Sequence, residues 1–137
     1  MIRLLIFGVL LLVSCQEKKT SIDKCDLYSL IINNDVVQRD FFICKEEKQT
    51  FTIYDKYSLF TDCDKKSVCN SEFTIRLDKP TVKRDQGNIE IYNLEEDGNN
   101  LKIFLYRPYS GVAVILSLEK DIENSEYKIL KEDVGAF

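Results

Sequence analysis

The chain of 137 residues contains no histidine. Without an imidazole, the common serine–histidine and cysteine–histidine nucleophile systems cannot be assembled. Close cysteine pairs of the C-x-x-C kind, which all-thiolate metal sites use, are missing too. So are the signatures G-x-S-x-G, G-x-x-x-x-G-K-S/T and G-x-G-x-x-G, which leaves neither a nucleophile elbow nor a phosphate-cradling loop. There is no basic block: 19 Lys and Arg stand against 23 Asp and Glu, a net charge of −4. That balance argues against nucleic acid and against electrostatic binding to a membrane surface. The carboxylates fall in charged turns or on the polar sides of strands, so they read as a solvated face rather than as a glycan-hydrolysing pair. The chain reads as a non-enzyme with no cofactor and no metal. Cys25, Cys44 and Cys63 are equally spaced, but the segments that follow them differ, so there is no repeat.

The first fifteen residues are MIRLLIFGVLLLVSC. One charge, Arg3, precedes an unbroken apolar run from Leu4 to Val13, then small Ser14 and Cys15. A charged start, an apolar stretch of about 7–15 residues and a small-residue boundary form a secretory signal. The run is about half the roughly 20 residues that a membrane-spanning helix needs, and polar Gln16-Glu17-Lys18-Lys19 follows at once. The other readings are an ordinary cleaved signal or short anchor, or a buried first strand of a cytosolic protein. Leu12-Val13-Ser14-Cys15 resembles the lipobox of bacterial lipoproteins. The resemblance covers only this segment. It implies cleavage before Cys15, a diacylglycerol on its sulfur and an acyl chain on its new amino group. Two or more chains anchor stably where one does not. The expected organisation is a signal peptide over 1–14, a lipidated tether over 15–21 and a single β-rich domain over 22–137. The expected address is the bacterial cell envelope, facing the periplasm, held to the membrane only by lipid.

The remaining 123 residues suit one domain and can bury roughly two-thirds of their unfolded surface. Losing Arg3 with the leader leaves 18 basic and 23 acidic residues, a net −5. With Cys15 assigned to lipid, Cys25, Cys44, Cys63 and Cys69 remain. An even number in a small exported domain reads as two disulfides. Three pairings are open, with free thiols or a four-thiolate site as alternatives. Local loop closure favours Cys25–Cys44 and Cys63–Cys69.

Residues 22–37 are ambiguous. Ile22, Cys25, Ser29 and Ile32 fit a helical face that Ser21 or Asp23 could cap. The same stretch reads as a hairpin turning at Asn33-Asn34-Asp35, which the turn chemistry and the β-branched, aromatic downstream half favour. Beyond it the period is two. Thr50–Tyr54 alternates after the charged turn Lys45-Glu46-Glu47-Lys48. Tyr57–Thr61 is a strand or a helical turn, and Asp62–Ser71 a polar loop. Phe73, Ile75 and Leu77 face one side of a strand that Pro80 ends. Asn88–Leu94 and Leu101–Tyr106 flank Asp97-Gly98, a leading hairpin signal. The acidic loop between them has calcium-friendly ligand types without EF-hand spacing and reads as a plain turn. Val112–Leu118 is apolar on both faces, as a covered central strand should be. Tyr127–Leu130 pairs back on it after a turn at Glu123-Asn124-Ser125. The expected fold is mainly β: an antiparallel β-sandwich or small barrel of about seven to nine strands, with an α+β layer as the alternative if 22–37 or 55–61 is helical.

One loop stands out as a candidate binding patch. Tyr106-Arg107-Pro108-Tyr109-Ser110-Gly111 precedes the covered strand, and Tyr and Arg are enriched in protein hot spots. Tyr106, Arg107 and Tyr109 are the candidate partner-binding residues; the alternative is a turn whose tyrosines cover the core edge. Small, acidic, disulfide-braced and without catalytic groups, the chain resembles in general build the lipoproteins that neutralise secreted toxins or hydrolases, namely immunity proteins and lysozyme inhibitors. That build implies a protein partner in the cell envelope. The alternative is an accessory or structural lipoprotein of an envelope assembly.

Overall fold

A computed structural model of the chain describes residues 24–60, 63, 65–78 and 86–136. Cys15, the leader and the tether lie outside the described residues. The protein is mainly β, as its alternating sequence predicts. Two short helices, α1 (Lys24–Ile32) and α2 (Asp35–Asp40), precede seven strands. These are β1 (Gln49–Tyr54), β2 (Lys66–Val68), β3 (Ser71–Arg76), β4 (Asn88–Asp97), β5 (Asn100–Arg107), β6 (Val112–Asp121) and β7 (Glu126–Ala136). They form one curled, half-barrel sheet in the order β2-β3-β1-β4-β5-β6-β7.

The sheet is mixed where an antiparallel one was expected. β1 runs parallel to both of its neighbours, β3 and β4, while the other pairs are antiparallel. Turn chemistry reveals hairpins because they are local. It says nothing of a strand inserted between two later ones.

From Lys24 on, the stretch expected to form a hairpin is instead the two helices α1 and α2. Leu27, Tyr28, Ile31 and Ile32 are all buried, at a spacing that puts them on one helical face. Asn34 is the N-cap of α2 rather than a hairpin turn residue. Its side chain accepts from the backbone N–H of Val36 and Val37, each at 3.0 Å, which satisfies two donors that open a helix. The same Asn-Asn-Asp chemistry serves a turn and a cap, so local sequence could not decide. Burying Leu27, Tyr28, Ile31 and Ile32 in one cluster with sheet residues such as Phe51, Phe73 and Leu116 did.

Between β1 and β2 there is neither a strand nor a helix at Tyr57–Phe60. Asp55, fully buried, accepts the Phe60 N–H through Oδ2 at 2.7 Å and closes a tight loop there. Where a polar loop was expected over 62–71, β2 and β3 form a small hairpin over Cys69-Asn70. In the central hairpin, Asp97 pairs with Asn100 across only Gly98 and Asn99. Gly98 has φ +58°, a conformation that costs glycine little. β6 lies inside the sheet between β5 and β7, with Ala113, Val114, Leu116 and Leu118 buried. β7 is much longer than the four residues expected, and it forms one edge of the sheet.

The four cysteines form two bridges, in a pairing other than the local one. Cys25 bonds Cys63 and Cys44 bonds Cys69, with Cα–Cα distances of 5.3 and 5.4 Å. Cys25 begins the helical segment and Cys44 lies just beyond it. The helix pair is therefore fastened at both ends to the loop after β1 and to the β2–β3 turn. On its other side it reaches the far edge of the sheet, where Asn34 Nδ2 donates to Glu132 Oε1 at 3.0 Å. Among the described residues no helix is long and apolar enough to cross a membrane.

Candidate functional site

At one end of the half-barrel the β5–β6 turn faces the segment that joins α2 to β1. Between them lies a cleft of about 520 Å³. Tyr109 and Phe42 stand on it, both 52% exposed. Arg107, only 4% exposed, contributes to its lining.

The way α2 ends explains Phe42. The Ile43 N–H donates to the Gln38 carbonyl at 2.9 Å and the Phe42 N–H to that of Arg39 at 3.2 Å. These two bonds make a Schellman cap, whose penultimate position is left-handed and is most often glycine. Phe42 occupies it with φ +54°, a conformation that costs an L-residue roughly 1–2 kcal/mol. The chain thus carries an aromatic ring where a bare backbone would be more comfortable, and the ring faces solvent with the Lys45 ammonium 5.5 Å from its centre. Strain of this kind, held by surrounding structure, gathers at functional positions. Phe42→Gly is expected to be more stable than Phe42→Ala by about 1 kcal/mol, the reverse of their order in a helix interior. Urea denaturation of the two variants measures it. An Ala variant as stable as the Gly variant would remove the argument from strain.

Arg107 holds the cleft together. Its Nη1 donates to the Phe41 carbonyl, and its Nε and Nη2 donate to the Gln86 carbonyl at 3.1 and 2.7 Å. One guanidinium thus ties the end of α2 to the segment entering β4. It lies 5.5 Å from the Phe51 ring centre and 5.7 Å from that of Tyr109, both within cation–π range. Burial pushes its pKa down and the Tyr109 side chain opposes that. Tyr109 is steadied in turn, its hydroxyl accepting from Gln86 Nε2 at 3.2 Å. Gly87 allows the close approach. A Cβ there would sit 2.4 Å from the Thr50 carbonyl oxygen, and the Gly87 carbonyl accepts from the Thr52 N–H at 2.8 Å.

The three candidate residues of the 106–111 loop therefore separate. Tyr109 is exposed on the cleft and Arg107 is buried in its lining. Tyr106 is half-buried on the other face of β5, edge-on to Tyr92 at 6.2 Å. Alternation along a strand is enough to part neighbours 106 and 107. Sequence reasoning missed Gln86, which tertiary contact brings to the loop, and Phe42, which lines the same cleft. It read Lys45–Lys48 as a charged turn, and Lys45, Glu47 and Lys48 of that segment border the cleft. Among the described residues no group of three or more Cys, Asp and Glu side chains could hold a metal ion. Compared with protein-family models, with curated proteins and with solved structures, the chain has no match.

Proposed function

We propose that this chain is an envelope-tethered lipoprotein acting as a non-catalytic binding module, an inhibitor or immunity protein against a secreted toxin or hydrolase, which grips its partner at the Phe42–Tyr109 cleft. The observation that carries the reading is Phe42 itself, a strained aromatic residue in solvent beside an exposed tyrosine anchored by a buried arginine. Aromatic side chains at a rigid, well-packed spot are what protein hot spots are made of. Two disulfides and a strand-borne arginine supply the rigidity, and preorganisation lowers the entropic cost of binding. The lipid on Cys15 fixes the address, and loops at one end of the sheet do the recognition.

The test places a photo-crosslinking residue at position 42 or 109 in living cells, with exposed position 102 on β5 as the control. The expected result is one shared cross-linked species at 42 and 109, absent at 102, identified as a secreted toxin or hydrolase. A multi-subunit envelope complex would favour the accessory reading and sink the inhibitor. Intact-mass measurement is expected to find the chain beginning at an acylated Cys15; an unmodified thiol with the leader attached would remove the tether.

A further inference from the structure

Among the described residues the cleft holds a cation without a counter-charge. A guanidinium has five N–H donors. Three of Arg107's are taken, all by backbone carbonyls, which leaves one on each terminal nitrogen. No carboxylate among the described residues forms an ion pair with it. Its exposure is only 4%, so water screens the charge poorly, and a buried, unpaired cation is costly. Among the described residues, the other charges lining the cleft leave an excess of the same sign. Lys48 is paired with Glu72 at 3.2 Å, and Lys45 and Arg107 together outweigh Glu47.

We infer that the cleft takes a single carboxylate from a protein partner, an aspartate, a glutamate or a chain terminus, which accepts from both terminal nitrogens of Arg107 while Phe42 and Tyr109 cover the apolar groups beside it. This rests on the cleft being the docking site. A guanidinium presents its donors as a fork that matches a planar carboxylate. One monoanion balances the excess charge. A phosphate dianion would overbalance it against Glu47, and it would leave the two exposed rings with nothing apolar to contact.

The experiment uses the isotopically labelled protein as the cell produces it, held in detergent, and follows the Arg107 Nε–H resonance. The probes are acetyl-Leu-Glu-Leu amide, its Gln counterpart and inorganic phosphate. The Glu peptide is expected to shift the resonance saturably, and the Gln peptide to bind at least about tenfold more weakly. Phosphate is expected to leave the resonance unsaturated. Equal response to Glu and Gln, or phosphate saturating the signal at a lower concentration than the Glu peptide, overturns the assignment. Arg107→Lys keeps the charge and loses the fork, so, followed at the Gly87 amide of the cleft lining, it should narrow the preference for Glu over Gln; a preference as wide as the wild type's also overturns the assignment. If that variant does not fold, the wild-type titration decides alone. Failure here with the cross-links at 42 and 109 intact discards the carboxylate and keeps the docking site, whereas loss of those cross-links discards the docking site itself.

Discussion

Reduction of both disulfides is expected to unfold the protein at room temperature. The Cys25–Cys63 bridge spans a sequence separation of 38 and Cys44–Cys69 one of 25. By the loop-entropy model, closing loops of those lengths is worth roughly 3.5–4 kcal/mol each. The two loops overlap, so their joint effect falls short of the sum. Even so it rivals the whole stability of a typical domain, about 5–15 kcal/mol. The location sharpens the expectation. Both bridges fasten the α1–α2 segment, which carries a large part of the core: Leu27, Tyr28, Ile31, Ile32, Val37, Phe41 and Ile43 are all buried. With the ends released, two helices of nine and six residues have little intrinsic helicity to hold them in place. Far-UV circular dichroism with and without a thiol reductant reads the outcome. Replacing one pair alone, Cys25 with Cys63 or Cys44 with Cys69, by alanine is expected to lower Tm by roughly 10–25 °C. A reduced protein with an unchanged urea midpoint would show the bridges to be ornamental. Peptide mapping without reductant should recover Cys25 linked to Cys63.

Phe51→Ala is expected to cost about 3–5 kcal/mol, the usual range for emptying an aromatic site in a packed core. Phe51 lies on β1, the strand that joins the two halves of the sheet. It is 1% exposed, opposite Phe73 in the parallel register, with the two rings stacked at 5.2 Å and 16°. Its loss opens a cavity against Phe73 and strips Arg107 of an aromatic face, so core and cleft should fail together. Tyr109→Ala, at an exposed position, should cost well under 1 kcal/mol while removing the cross-link. The contrast separates folding from recognition, and urea unfolding of both variants measures it. A cost below about 1 kcal/mol for Phe51→Ala would mean that β1 does not anchor the sheet.

How far the sequence could be read depended on distance along the chain. The β4–β5 hairpin was legible from Asp97-Gly98 between two alternating runs, and the β6–β7 turn from Glu123-Asn124-Ser125, because each strand pairs with its neighbour in sequence. β2 was not, since three residues are too few to display a period. The candidate site was half legible. Tyr109 and Arg107 announced themselves as a Tyr-Arg loop, but their partners Phe41 and Gln86 lie 21 to 66 residues away. Nothing local marks Phe42 as unusual until its backbone conformation is known.

Period-two alternation alone was enough to make the chain mainly β, and four cysteines beyond Cys15 were enough to suggest bridging, because both follow from residue types and short-range pattern. Tertiary structure alone decided that the first ambiguous segment winds into helices, that the bridges cross rather than close their nearest loops, and that β1 slots between β3 and β4. Each of these outcomes turns on which apolar faces meet in the shared core, a matter of contact between residues far apart in the chain.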